Sequence, residues 1–336
     1  MEPLLGLSLL VSFLLTIYTL PAWIKKCRQV GLLWEDMNKV DRVKKVAASG
    51  GIVVVFAFVL GVLSYIALKT FVIGGAGEIV NIFALLSVIL ILALVGFVDD
   101  MLGWTSKGLS IRFRLFLVLV ASIPLVVINS GTKIVGLPFG VVDLGIYYAL
   151  FFIPIGIVGA TTTYNFLAGF NGLEAGQGII LLSFLSLVSY LTGSAWLSVI
   201  GLCMIVSLVV FYFYNRYPAQ VFPGDVLTYS IGGLIAVMAI FGNFEKIAVF
   251  MFIPYIIETI LKVGGKLEKQ SFARVEADGS LGMPYQKIYG LTHLGVYILK
   301  KYKKKVYEKD VVCFIFTFQI IICLLALVLF RSALFS

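Results

Sequence analysis

The sequence predicts an all-α polytopic integral membrane protein, and three observations carry that fold class. Of 336 residues, 61% are hydrophobic and only 13% are charged; the mean hydropathy of +1.07 is too high for a soluble domain of this size. Ten stretches approach the roughly 20 apolar residues that a spanning helix needs: 3–23, 49–68, 79–98, 113–129, 145–165, 175–193, 195–214, 225–243, 246–262 and 310–330. The cations collect in alternate loops. Seven over 24–48, three over 99–114, Arg216 and eleven over 262–309 fall on one side, 22 of the 26, while Lys69, Lys133, Lys246 and Arg331 fall on the other. The positive-inside rule makes the cation-rich side cytoplasmic and puts both termini outside.

Each element follows from its local pattern. Only Glu2 precedes the first stretch, and Lys25, Lys26 and Arg28 follow it. A secretory signal has its positive charge before the apolar run, so a first spanning helix is expected. No repeat, low-complexity tract or linker divides the chain, and 1–336 reads as a single domain with inner loops at about 24–48, 99–112, 165–174, 215–224 and 263–309. Gly and Pro punctuation over 130–145 predicts a short external hairpin. Within 263–309, the Asp278-Gly279 pair predicts a hairpin turn. From Pro284 to Lys305 the residues Ile288, Leu291, Leu294, Ile298 and Tyr302 recur at helical spacing among cations, which predicts a basic helix lying in the interface.

The net charge of +9 lies along one membrane face, so anionic headgroups or a phosphorylated substrate explain it and nucleic acid is not expected. Cys27, Cys203, Cys313 and Cys323 show no metal or redox spacing and read as reduced packing residues. His293 is the only histidine, which excludes a site built on several His ligands and leaves interfacial packing as its expected role.

The polar residues that remain gather at inner helix ends. The run 165–176, NFLAGFNGLEAG, breaks the apolar pattern with Asn165, Asn171, Glu174 and three glycines. Polar groups and flexible backbone are costly there unless they line a watery or ligand-filled site. Asp99 and Asp100 close the third stretch; adjacent carboxylates repel, so the pair implies a cation or a proton-transfer task. Lys107 and Arg112 follow in the same loop. Asp225 begins the eighth stretch after Pro223-Gly224, where it can cap exposed amides or bind a metal. Carboxylates and an asparagine without His or Cys suit a hard cation bound through oxygen, Mg²⁺ first and Mn²⁺ in its place. Basic groups nearby would neutralise the rest of a diphosphate.

Taken together, NFLAGFNGLEAGQ, VFPGD, GFVDD and WEDMNK resemble the polyprenyl-phosphate N-acetylhexosamine-1-phosphate transferase family, and within it the branch that makes GlcNAc-diphospho-dolichol. The resemblance implies transfer of GlcNAc-1-phosphate from UDP-GlcNAc to a polyprenyl or dolichyl phosphate with release of UMP, the first step of lipid-linked oligosaccharide assembly for N-glycosylation. It implies Asn165 and Asp225 as metal ligands, Asp99 and Asp100 as catalytic carboxylates serving the lipid phosphate with Asp100 or its neighbour as base, Asn171 on the uracil, Lys107 on a phosphate and Glu174 among the substrate-binding groups. Two stretches depart from the family pattern. LEKQSFARVEADG stands where a His- or Arg-rich motif is usual, leaving Lys269 or Arg274 to replace it, and KKVAASGG stands where an acidic or Thr-Pro element is common. Partners implied are UDP-GlcNAc, the lipid phosphate and membrane lipids, with a homodimer left open; the membrane is the plasma membrane of a prokaryote or the endoplasmic reticulum of a eukaryote.

Two alternatives stand beside this reading. One keeps the chemistry but uses another UDP-hexosamine, or phospho-MurNAc-pentapeptide on undecaprenyl phosphate. The other is a nucleotide-sugar or ion-coupled transporter, which would place its site near the bilayer midplane between related halves.

Overall fold

The computed structural model describes residues 5–40, 45–75, 77–105, 107–137 and 140–334. The start of the first expected helix at 3–4, Arg42 and Lys44 of the first cation-rich loop, and residues 138–139 of the external hairpin lie outside them. The chain is a bundle of helices joined by three small antiparallel hairpins.

Eight helices among the described residues are long and apolar enough to cross a membrane. They include α1 (Leu5–Val30), α2 (Gly51–Leu68), extended by a π-helical turn at Lys69–Ile73, and α3 (Ile79–Thr105). The expected fourth span is broken at Ser122 into α4 (Ile111–Ala121) and α5 (Ile123–Val127). Pro124 is the reason: it has no amide proton to donate, and its ring crowds the preceding turn. Then come α6 (Ile153–Phe166), entered through a π-helical turn at Tyr148–Phe152, α7 (Leu173–Leu191), α8 (Ala195–Asn215) and α9 (Gly224–Gly242). The expected ninth span divides into α10 (Glu245–Met251) and α11 (Ile253–Gly264), bent by 59° where Pro254 opens the second piece. After the last inner segment, with α12 (Leu291–Tyr302), the long α13 (Glu308–Leu329) and the short α14 (Arg331–Leu334) close the chain.

Helix α9 is the centre of the bundle. Its side chains are buried from Val226 through Ile240 without exception, as expected of a helix apolar on every face. It packs along α3 and α6 and also touches α2, α7 and α8. Gly96 sets the α3 contact: a Cβ there would lie 2.5 Å from the Asp225 carbonyl. Only glycine lets the α3 backbone press onto the first turn of α9, and that approach brings Asp99 and Asp100 beside Asp225.

The first cation-rich segment folds as a hairpin, β1 (Leu33–Glu35) against β2 (Lys45–Ala47), which sequence periodicity did not reveal. Beyond it, Ala47 accepts from the Phe222 amide at 2.8 Å and donates to Gln220, while Gly50 and Gly51 donate to Phe222 and Pro223 at 2.9 Å. Residues 47–51 of KKVAASGG are thus a backbone clamp on VFPGD. The expected external hairpin is β3 (Ile134–Leu137) with β4 (Gly140–Asp143). The expected Asp278-Gly279 turn joins β5 (Arg274–Val275) to β6 (Leu281–Gly282), with Gly279 at φ +79° and Asp278 Oδ1 accepting from the Ser280 amide and hydroxyl.

The basic helix starts later than its apolar spacing implies. Residues 284–290 are irregular, and α12 begins at Leu291, whose amide donates to Glu258 Oε2 at 2.5 Å. That buried carboxylate of α11 pins the first turn. His293, one turn in, is fully buried with Tyr285 edge-on to its ring, so it packs inside the protein and not at an interface. All four cysteines are free thiols; Cys27, Cys203 and Cys323 are buried and Cys313 is exposed.

Candidate active site

Three acids and one guanidinium meet where α3, α4 and α9 converge. Asp99, 6% exposed, accepts from the Leu109 amide at 2.5 Å and from Arg114 Nη1 at 2.8 Å. The same Arg114 nitrogen lies 3.6 Å from Asp225 Oδ2. Asp100 reaches the opposite way: its Oδ1 accepts from the Asp225 amide at 2.8 Å, and its Oδ2 lies 3.5 Å from the Val226 amide. The adjacent acids therefore hold different positions, Asp99 anchoring Arg114 and Asp100 capping α9. Gly224 makes the cap feasible, since it sits at φ +72° and a Cβ on it would lie 2.1 Å from Asp100 Oδ2. Asp225 thereby keeps its carboxylate for the cavity. Asn165, at the end of α6, faces it across α9 and accepts from Thr228 Oγ1 at 3.1 Å.

Two cavities flank these acids. The larger, of about 730 Å³, is lined by Asp100, Asn165, Glu174 and Asp225, together with Gly169 and Phe170 of the Asn-rich loop and Gln270 and Phe272 of the last inner segment. The smaller, of about 350 Å³, is lined by Trp34, Asp99, Asp100, Gly108, Arg114 and Asp225. Asp100, Asp225 and Trp34 form the partition. A molecule in each cavity would meet the other across two carboxylates.

The Asn-rich loop is held by a buried network. Glu174 Oε1 accepts from the Gly169 amide at 2.8 Å, closing the loop on the helix it opens. Asn171 donates from Nδ2 to Asp36 Oδ2 at 2.9 Å and from its backbone to Glu308 Oε1 at 2.6 Å. Lys39 bridges those same acids, 3.2 Å from Asp36 and in direct contact with Glu308. WEDMNK, the Asn-rich loop and the start of α13 are thus one polar unit.

The structure therefore gathers Asp99, Asp100, Asn165, Glu174 and Asp225. It does not bring the other expected residues to the cavity walls. Asn171 points away into the Asp36 network. Lys107 is exposed on the loop between α3 and α4. Lys269 leans over the Tyr285 ring at 5.3 Å, and Arg274 pairs with Glu276 at 2.7 Å on the surface. At their side of the cavity stand the neutral Gln270 and Phe272. The expectation from sequence missed these two, Arg114, and Lys45, the one cation among the described residues lining the larger cavity. For Arg114 a signal existed: Ser110 caps α4, accepting from the Phe113 amide, so Arg112 and Arg114 leave that helix on different sides.

The donor set fits a hard cation in one particular way. Among the described residues no three His, Cys, Asp or Glu side chains converge as a preformed cage. Asp225 and Asn165 nevertheless present a carboxylate and an amide oxygen to one cavity. Mg²⁺ commonly takes one or two protein oxygens and completes its shell with water and substrate phosphates. That is the coordination these residues can offer.

Comparison with known proteins agrees with this geometry. Residues 82–243 match the family described as glycosyl transferase family 4. A Saccharolobus solfataricus protein, provisionally named a UDP-N-acetylglucosamine–dolichyl-phosphate N-acetylglucosaminephosphotransferase, is 34% identical over 330 residues, covering 96% of each chain. The Dictyostelium discoideum protein of the same name, given without qualification, is 30% identical over 74% of this chain and 69% of its own. A phospho-N-acetylmuramoyl-pentapeptide-transferase of Streptococcus pneumoniae is 28% identical over 74% and 77%. With its acids and its Asn-rich loop inside or beside the matched region, the chain belongs to glycosyl transferase family 4, among the polyprenyl-phosphate N-acetylhexosamine-1-phosphate transferases.

Proposed function

We propose that the protein transfers GlcNAc-1-phosphate from UDP-GlcNAc to a polyprenyl phosphate of the dolichyl type, releasing UMP and forming GlcNAc-diphospho-lipid. The observation that carries this reading is the pair of cavities meeting at Asp100 and Asp225. The larger has room for a nucleotide sugar, and the smaller, with Arg114, suits a phosphate. An apolar groove of about 380 Å³ supports the lipid half of the reading. It runs between α6, α9 and the bent α10–α11 pair, past Phe152, Ile155, Ala160 and Ala236 to Thr163. Thr163 is two residues from Asn165, so an isoprenoid chain lying there would bring its phosphate to the acids.

In the reaction, an oxygen of the lipid phosphate attacks the β-phosphorus of UDP-GlcNAc. The new P–O bond forms as the bond from that phosphorus to the bridging oxygen breaks, and UMP departs with that oxygen. A phosphate monoester is already largely ionised near neutral pH, so attack needs positioning and charge neutralisation more than a strong base. Arg114, anchored by Asp99, faces the incoming phosphate. Asp100 takes up a proton where the lipid phosphate still carries one. Asn165 and Asp225 would hold Mg²⁺, or Mn²⁺ in its place, which supplies charge neutralisation on the diphosphate. Direct attack is preferred to a covalent aspartyl intermediate because the ionised lipid phosphate is itself the nucleophile, while the donors on Asp99 and Asp100 weaken both carboxylates as nucleophiles and still leave Asp100 a lone pair to accept a proton.

The acids lie at the cation-rich end, which the positive-inside rule makes cytoplasmic. The membrane is then the plasma membrane in a prokaryote or the endoplasmic reticulum in a eukaryote.

The test is purified protein with Mg²⁺, dolichyl or undecaprenyl phosphate, and a panel of UDP-GlcNAc, UDP-GalNAc and UDP-MurNAc-pentapeptide, scored by UMP release. Release is expected with UDP-GlcNAc and dolichyl phosphate. No release with any pair would sink the transferase reading, and UDP-GlcNAc uptake into proteoliposomes without UMP would replace it with transport.

A further inference from the structure

Asn38 stands at the junction of three segments that the transfer mechanism leaves without a link. Its Nδ2 donates to the Gly169 carbonyl at 2.7 Å, its Oδ1 accepts from the Ala273 amide at 3.2 Å, and its own amide lies 3.3 Å from Asp36 Oδ1. These partners are 131 and 235 residues away for the first two and no shared helix holds them together. Asn38 is 3% exposed, so both ends of its amide depend mainly on these protein partners. A buried amide satisfied at both ends fixes geometry, and one left unsatisfied is expensive.

All three segments wall the larger cavity: Asp36 and Met37 from the first, Gly169 and Phe170 from the second, Gln270 and Phe272 from the third. Of them, only the first reaches the smaller cavity, through Trp34. Asn38 itself lies behind the wall and lines neither cavity.

We propose that Asn38 is a positioning residue for the nucleotide-sugar side of the reaction, setting the spacing between the Asn-rich loop and the last inner segment. The inference rests on the reading of the larger cavity as the nucleotide-sugar site. An amide is required because one partner is an acceptor and the other a donor. An aspartate would keep the bond from Ala273 but turn an oxygen toward the Gly169 carbonyl, with Asp36 already adjacent. Because the stapled segments face one cavity, the effect falls on one substrate.

The test compares wild type with Asn38→Asp and Asn38→Ala. It measures KM for UDP-GlcNAc and for dolichyl phosphate, UDP-GlcNAc affinity by calorimetry without lipid, and melting temperature. Loss of one buried hydrogen bond corresponds to about a tenfold change, so KM and Kd for UDP-GlcNAc are expected to rise about tenfold in both variants while KM for the lipid stays within about twofold. Asn38→Gln keeps both groups on a longer arm, and partial recovery of affinity is expected from it even where Asn38→Asp fails to fold. Equal rises in both KM values, or unchanged UDP-GlcNAc affinity in these variants, would overturn the positioning role. A wild type that neither binds UDP-GlcNAc nor releases UMP fails the reading of the cavity instead.

Discussion

The helix ends and the last inner segment place the same kinds of residue at the same end of the bundle, yet they handle charge in opposite ways. Where α3 meets α9, Asp99 and Asp225 share a single guanidinium, Arg114, while Asp100 beside them is held by α9 amides, and packing keeps the three acids together against their own repulsion. Over 263–310 three acids are each matched by a nearby cation: Glu276 by Arg274, Asp278 by Lys305, Asp310 by Lys303. Lys305 and Ser280 together hold the Asp278 carboxyl well below the usual carboxylate range. Acids kept together without matching cations invite a metal or a cationic transition-state partner. Acids paired one to one are scaffold. The contrast predicts where substitution is expensive.

Asp100→Asn should show the largest effect. The amide keeps an oxygen for the Asp225 backbone, so α9 stays capped and UDP-GlcNAc binding survives. Turnover should fall by about 10²–10⁴-fold, the usual range for losing an acid–base group. Single-turnover UMP release together with calorimetric binding measures both parts, and near-normal turnover would break the comparison at its stronger end.

Gly224→Ala probes the same region through backbone alone. It forces a side chain into a left-handed conformation and drives a methyl group at the Asp100 carboxylate. Roughly 2 kcal/mol or more of stability should be lost from strain and overpacking. Melting in detergent reads the loss, and turnover should drop with it as Asp100 leaves the α9 amides. An unchanged melting point would show that the cap is not under the constraint its geometry implies.

This contrast also explains what the sequence made legible. Asp99, Asp100, Asn165 and Asp225 were readable because apolar runs of membrane length fix where their ends lie, and a polar residue at such an end has few places to go. The breaks at Ser122 and Phe252 were not read, although Pro124 and Pro254 were visible causes, because hydropathy counts residues and ignores a missing amide donor. The inner segment was legible only where local chemistry decides, as in the Asp278-Gly279 turn. Its cations were opaque. Whether Lys269 faces a diphosphate or the Tyr285 ring depends on tertiary contacts, and so does the Asp36–Asn171–Glu308 network, whose two bonds join residues 135 and 137 positions apart.

A smaller effect, on stability, is expected from His293. Burial pushes its pKa down to about 4, with Lys262 adding to the push and the backbone at Phe272 and Gln270 opposing it. The unfolded chain therefore binds a proton at higher pH than the folded one does. Stability is fully present above about pH 6.5 and falls as pH drops toward about 4, by an amount on the order of 1–3 kcal/mol. A melting profile over that range should show the decline, and His293→Gln should flatten it. An identical slope in the variant would assign the acid sensitivity to other groups.

Lys269→Ala and Arg274→Ala should have the smallest effect, and they test the comparison at its weaker end. If either side chain replaced the basic motif usual at this place in the family, removing it would strip a cation from the diphosphate and lower kcat/KM at least tenfold. The geometry argues otherwise. Lys269 is spent on the Tyr285 ring, Arg274 on an exposed pair with Glu276 whose contribution is within about 1 kcal/mol, and Gln270 and Phe272 occupy the cavity wall between them. Each variant should keep kcat/KM for UDP-GlcNAc within about twofold of wild type, whereas Gln270→Ala should raise that KM about tenfold through loss of a hydrogen bond to the sugar or its phosphates. A tenfold loss in Lys269→Ala or Arg274→Ala with Gln270→Ala silent would mean that the segment rearranges on binding substrate and brings its cations inward.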